Sequence, residues 1–228
     1  MTGVALAGLL VEAADPAAVA RFWSRALGGQ TTTLLDGSVR VKGSPELTFY
    51  AQARPKSVKN RVHFDTYVRS LEPLLAIGAR VLDEYLPRRV TMADVEGNEF
   101  CAFLEPTRPD APPARVFAVC TDSDRPEELA AWWSQLVGAQ VSNGADGTPR
   151  WLHGSAGWPE LIWKFVRVSD QRVVPNRWRW TVHADTARLL AAGAIVPEPG
   201  VLLDPHGNEF SITEQAPTAA SEVARAAG

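Results

Sequence analysis

The sequence has few cysteines, no excess of charge of one sign and no long apolar run. Two cysteines in 228 residues do not indicate a disulfide framework. The net charge of −3, with acids and bases mixed along the chain, argues against nucleic-acid binding, which usually requires a basic face. The opening VALAGLLV has no basic residue before it, unlike a signal peptide, and is shorter than the ~20 residues of a membrane helix. These absences predict a soluble cytoplasmic protein that binds neither nucleic acid nor membrane.

What the sequence does contain is a long internal repeat. The phrase DVEGNEFCAF at 94–103 returns as DPHGNEFSIT 110 positions later, and DPAAVARFWSRALGG at 15–29 returns as RPEELAAWWSQLVGA at the same spacing. KNRVHF at 59–64 matches PNRWRW 116 positions later, a change of spacing that loop insertions produce between copies of one fold.

The repeat predicts two similar domains. We expect them at 1–105 and 114–215, joined by a proline-rich linker at 106–113 and followed by a flexible tail at 216–228. Proline lacks the backbone donor that strands and helix interiors need, which favours a linker there.

The sequences of the two copies predict the same secondary-structure elements. An apolar strand precedes a helix at 15–29, in which Asp15 is a candidate N-cap, Pro16 the first helical residue and Gly28 the C-terminal glycine. Alternating segments and a second short helix follow, so that the order β-α-β-β-β occurs twice per copy. The sequence therefore predicts an α+β fold of two tandem domains, each made of paired βαβββ units.

These repeated motifs resemble the vicinal oxygen chelate superfamily, which includes glyoxalase I, bleomycin-resistance proteins and extradiol dioxygenases. The resemblance implies two tandem glyoxalase-like domains in which paired βαβββ units curl around a cleft for a small molecule. It also implies that metal-dependent relatives hold an ion with His and Glu ligands. In this sequence the ligand positions fall on His63, Arg179, Cys101, Ser211 and, near the start of each copy, Gly8 and Ala118. The usual metal set is therefore missing, and no cofactor is expected.

Strand alternation assigns further side chains to the concave face, because successive residues of a strand point to opposite sides. We expect His63 and Glu99 as an acid/base pair. The expected ligand-binding residues are Glu12, Arg61, Asp65, Cys101, Arg177, Arg179, Glu209, Trp151 and Trp158. Val62, Phe64, Trp178 and Trp180 alternate with them and are expected to pack under the helices.

Several of these residues also have a purely structural interpretation. His63 could be a structural histidine bonded to Asp65 or Glu99. Glu99 and Glu209 could accept backbone donors near the turn, and a cysteine on a strand usually behaves as a small apolar residue. Trp151 and Trp158 flank a loop of small residues and either border a cleft or pack between the domains.

Three functions follow from this pattern. The first is a metal-independent cleft that sequesters a small aromatic or anionic metabolite, or assists a lyase or isomerase reaction with His63 and Glu99. The second is a divalent-metal enzyme of glyoxalase or dioxygenase type using His63, Glu99 and Glu12. The third is a non-catalytic scaffold. If the first function is correct, we expect a neighbouring carboxylate to raise the pKa of His63. We also expect the reaction to take place in the first copy and an anion to bind to Arg177 and Arg179 of the second copy.

Overall fold

The computed structural model describes residues 3–52, 54–85, 89–105 and 111–213. Most of the predicted linker, 106–110, and the whole predicted tail lie outside these ranges. None of the helices within them is long and apolar enough to cross a membrane.

Four helices are described, and the first of them follows the capping signals of the sequence. Helix α1 is Pro16–Leu27, α2 is Glu72–Ala76, α3 is Pro126–Val137 and α4 is Thr186–Ala191. Asp15 caps α1 by accepting a hydrogen bond from the backbone N of Ala18 at 2.9 Å. Gly28 ends the same helix at φ 71°, a left-handed conformation in which glycine carries no steric cost.

Sixteen strands complete the described fold. Those of the first copy are β1 Ala5–Ala13, β2 Thr31–Thr33, β3 Val39–Val41, β4 Glu46–Ala51, β5 Val62–Val68, β6 Arg80–Tyr85, β7 Arg89–Ala93 and β8 Glu99–Leu104. Those of the second copy are β9 Ala114–Ser123, β10 Gln140–Asn143, β11 Pro149–His153, β12 Ile162–Arg167, β13 Trp178–His183, β14 Ile195–Glu198, β15 Val201–Leu203 and β16 Glu209–Ile212. The predicted α+β fold, with four βαβββ units, is confirmed.

The two sheets each combine units from both copies. The first sheet has the order β14-β15-β16-β13-β1-β4-β3-β2, and the second has β10-β11-β12-β9-β5-β8-β7-β6. Antiparallel pairing of β1 with β13 and of β5 with β9 forms the two junctions. The expectation that each copy encloses its own cleft is therefore wrong, because the units that share a sheet come from different copies.

The helices and both sheets share one hydrophobic core. Trp178 of the first sheet lies 5.6 Å from Trp23 of α1 and 5.1 Å from Phe64 of the second sheet, as ring centroids. In the same core, the ring of Trp133 of α3 lies 5.5 Å from that of Trp180. The prediction that Phe64, Trp178 and Trp180 pack inward is confirmed, since each is at most 1% exposed.

The repeated D-x-x-G-N phrase binds a helix to a turn. The buried Asp94 carboxylate accepts hydrogen bonds from Nε1 of Trp23 at 3.1 Å and from the backbone N of Asn98 at 2.9 Å. Gly97 supplies the positive φ of 83° that the turn requires. The second copy repeats this arrangement with Asp204, Trp133, Asn208 and Gly207. The phrase is repeated because each copy needs this contact between its first helix and its last hairpin.

Candidate functional site

A cleft of about 480 Å³ lies against one face of the second sheet. Strand β5 crosses its floor, with His63 opposite Cys120 of β9 and Asp65 opposite Cys101 of β8. Strand alternation places these four side chains on one face, because they sit two residues apart on β5 and at paired positions on its neighbours. The structure therefore brings together the predicted residues His63, Asp65 and Cys101.

A buried ion pair joins the two copies at the floor of the cleft. Nζ of Lys164 on β12 donates to Oδ2 of Asp65 at 2.8 Å, and the two side chains are 12% and 8% exposed. Nε2 of His63 lies 3.8 Å from the other carboxylate oxygen of Asp65. Asp65 is thus placed between the Lys164 ammonium and the His63 imidazole.

The expectation that a carboxylate raises the pKa of His63 is wrong. Burial lowers the pKa of His63 below 6.5, although Asp65 acts in the opposite direction. Loss of water disfavours the charged imidazolium and is the largest cause of the lowered pKa, and the charge of Lys59 acts in the same direction. The imidazole is therefore neutral near pH 7 and suited to accept a proton rather than to donate one. Its Nδ1 is buried without a hydrogen-bond partner among the described residues.

The two cysteines of the cleft are thiols at neutral pH. Burial, followed by the charge of Asp65, raises the pKa of Cys101 to about 11. Burial also raises the pKa of Cys120 well above its ordinary value. A thiol with such a pKa is a weak nucleophile and a weak metal ligand, so neither cysteine supplies a reactive thiolate.

The structure shows Glu99 in a supporting contact. Its carboxylate accepts from Nζ of Lys56 at 2.6 Å and from the backbone N of Asn60 at 3.1 Å. Glu209 in the first sheet has the equivalent contacts with Arg172 and Asn176 at 2.6 and 3.1 Å. Glu99 lines the cleft, but Asp65 is the carboxylate that lies against His63.

Two other predicted residues belong to the first sheet. Glu12 on β1 accepts from Arg54 at 2.7 Å and from the hydroxyl of Tyr50 at 3.3 Å. Arg179 donates to the same hydroxyl, and burial raises the pKa of Tyr50 to about 12. Glu12 and His63 therefore do not meet, and the alternative metal set of His63, Glu99 and Glu12 is not assembled.

The first sheet carries its own cleft, of about 750 Å³. Thr181 and Ser211 line it at paired positions on β13 and β16. The expected division of labour between the copies does not hold, since each cleft is built from both.

The remaining predicted residues are distributed over three environments. Trp151 lines the cleft of the second sheet, whereas Trp158 is 1% exposed and packs in the core. Arg177 donates to the carbonyls of Glu12 and Arg54 and to the carboxylate of Glu96. Arg61 and Arg177 line a separate cavity between two connecting segments, where they do not reach the cleft.

Sequence reasoning missed most of the charged and aromatic wall of the cleft. Nζ of Lys164 lies 5.0 Å from the ring centroid of Trp151 and 5.9 Å from that of Phe103, and all three side chains line the cleft. Arg89 stacks over Tyr85 at 4.2 Å. In the described part of the chain, Arg89 is the one cation lining this cleft that has no carboxylate within ion-pair distance; the others are Lys59, Arg150 and Lys164.

The metal-ligand potential of the cleft rests on His63, Asp65 and Cys101, whose ligand atoms lie within 4.8 Å of one another. The donors are one neutral imidazole, one carboxylate already bonded to the Lys164 ammonium at 2.8 Å, and one thiol with a pKa of about 11. Divalent ions of the Fe, Mn, Ni and Zn type need deprotonated ligands, and an ammonium bonded to the one carboxylate competes with such an ion and repels it. These residues do not fit a resident divalent ion.

Two βαβββ units pair to form each sheet, and each sheet has a cleft on one face. This architecture defines a class of folds that bind small molecules. A comparison with protein families finds a match to the glyoxalase-like domain at residues 8–103 and 118–213. The chain therefore belongs to the glyoxalase-like domain family of the vicinal oxygen chelate superfamily, with the domain in two tandem copies.

Solved structures show the same fold. The chain is similar to a proposed dioxygenase from Bacillus subtilis, with 12% identity, a TM-score of 0.66, and coverage of 97% of this chain and 88% of that one. It is also similar to glyoxalase I from Zea mays, with 12% identity, a TM-score of 0.64 and coverage of 92% of each chain. A search of curated protein sequences finds no match. At such identities the similarity establishes the fold alone.

Proposed function

We propose that the cleft of the second sheet binds a small planar organic anion without a resident metal. The observation that carries this proposal is Arg89, a cation without a carboxylate partner among the described residues, beside a cleft with aromatic walls. A guanidinium binds a carboxylate through two parallel hydrogen bonds, and aromatic side chains such as Trp151 and Phe103, which line the cleft, suit a flat apolar body.

Benzoate and its uncharged analogue benzamide test this proposal. Titration calorimetry at pH 7 is expected to show benzoate bound more tightly than benzamide. Arg89→Gln is expected to weaken benzoate binding about tenfold or more, the loss of one charge-assisted contact, and to leave benzamide unchanged.

Arg40→Gln is the matched control, because Arg40 is a cation lining the cleft of the first sheet. Equal affinity for benzoate and benzamide would contradict an anion site. Loss of benzoate binding in Arg40→Gln but not in Arg89→Gln would place the ligand in the first sheet instead.

A second candidate function is proton transfer within the same cleft. The buried, neutral imidazole of His63, with Nδ1 unpartnered among the described residues, favours it, since a general base needs a free nitrogen near neutral pH. Phenylpyruvate in D2O provides a test, because proton abstraction next to its carbonyl exchanges deuterium into the molecule. His63→Gln is expected to abolish protein-dependent exchange, followed by NMR. Exchange that persists in this variant would show that His63 is not the base, and absence of exchange with the unaltered protein would show that the cleft only binds.

A further inference from the structure

A separate cavity of about 110 Å³ lies between two connecting segments, 54–61 and 170–177. The first segment leads into β5 and the second into β13, so they are equivalent in the two copies. Both are fixed by the same contact, in which a glutamate accepts from a cation and from an asparagine backbone N. The cavity therefore lies where the equivalent segments of the two copies face each other.

Cations dominate the wall of this cavity. Its charged lining consists of one carboxylate, Asp170, and six cations: Arg54, Lys56, Lys59, Arg61, Arg172 and Arg177. Most of the carboxylates that pair with these cations, such as Glu12, Glu99 and Glu209, lie outside the lining. They hold the cationic side chains in place around the cavity while the space itself stays lined by positive charge.

Two of the guanidinium groups are largely buried, and their hydrogen-bonding capacity is only partly used. The side chain of Arg61 is 13% exposed, and Nη1 makes only long contacts of 3.2 and 3.3 Å to Asp170, whose own side chain is 74% exposed. Arg177 is 8% exposed; its terminal nitrogens donate to two backbone carbonyls and to the carboxylate of Glu96, but its Nε is buried with no partner among the described residues. A buried charged donor without an acceptor is costly, so an anion in the cavity would give Arg177 the missing acceptor and would give Arg61 a partner besides the exposed Asp170.

We propose that this cavity binds a tetrahedral oxyanion, phosphate or sulfate, at a site distinct from both clefts. The volume is enough for a few water molecules or one compact ion. It is too small for a whole organic metabolite. Guanidinium groups from both copies, Arg61 and Arg177, surround a single ion, which fits the several acceptor oxygens of an oxyanion. The bound ion ties the two connecting segments together.

Thermal unfolding and calorimetry in phosphate test the proposal against sodium chloride at matched ionic strength. Phosphate is expected to raise the melting temperature in a saturable way that chloride does not reproduce. Arg61→Gln is expected to weaken phosphate binding about tenfold or more, and Arg61→Lys to weaken it less because the charge stays. Arg61 is suited to this test because its one ion-pair partner is exposed, so that its replacement spares the fold.

Arg89→Gln is the control, because Arg89 lines the second-sheet cleft and not this cavity. An equal effect of phosphate and chloride would overturn the proposal. So would unchanged phosphate affinity in Arg61→Gln, or a loss of phosphate binding confined to Arg89→Gln. Because benzoate is the probe for the cleft and phosphate the probe for this cavity, either proposal can fail without the other.

Discussion

The buried pair of Lys164 and Asp65 leads to a quantitative prediction. Lys164→Met removes the ammonium and leaves the Asp65 carboxylate, 8% exposed, beside a neutral imidazole and a protonated thiol. An uncompensated charge at such a site costs about 3–5 kcal/mol in the free energy of unfolding. We expect a loss of that size in Lys164→Met at pH 7, measured by urea denaturation.

A double variant separates the charge effect from the packing effect. In Lys164→Met/Asp65→Asn no charge is left unpaired, so the double variant is expected to be more stable than Lys164→Met alone. The control pair is Arg40 with Glu46 on the first sheet, at 3.1 Å but 44% and 41% exposed. Arg40→Met should cost less than about 1 kcal/mol. Similar losses in Lys164→Met and Arg40→Met, or a double variant less stable than Lys164→Met, would refute this reasoning.

Two further predictions concern His63 and Asp94. Burial lowers the pKa of His63, so that below about pH 6.5 the imidazole binds a proton more readily in the unfolded chain than in the folded chain. The free energy of unfolding should therefore decrease as the pH is lowered, by up to about 1.4 kcal/mol per pH unit. His63→Gln should flatten this dependence between pH 6.5 and 5, and an unchanged slope in urea titrations would contradict it. Asp94→Ala leaves the donors of Trp23 and Asn98 without acceptors, so we expect a loss of about 3 kcal/mol or more. Asp36→Ala, which alters an exposed turn, should cost much less, and equal midpoints for the two variants would contradict the buried contact.

Much of the fold follows from the sequence, because the repeat shows where each βαβββ unit begins and strand alternation gives the face of each residue. Alternation placed His63, Asp65 and Cys101 on one surface. The same signal was present for Lys164, which lies between the buried Trp163 and Phe165.

The order of the strands within the sheets could not be read in this way. Alternation states which face a side chain takes, but it does not state which sheet the strand joins. Glu12 was placed beside His63 for that reason, although β1 pairs with β13 and β4. The direction of the pKa shift of His63 could not be predicted from the sequence either, because it depends on burial in a cleft that strands of both copies form.

Pairing across the copies has a consequence for how the chain holds together when it is divided. If the backbone were cut between β8 and β9, each fragment would keep both of its units. The first fragment would lose β13 and β9, the partner strands of β1 and β5, and the second fragment would lose β1 and β5. Each fragment would then expose two long strand edges and half of a shared core, a surface that favours association. The two fragments, expressed separately, are therefore expected to complement each other into one particle, or to form homodimers in which a second identical fragment takes the missing place, rather than to behave as two independent domains.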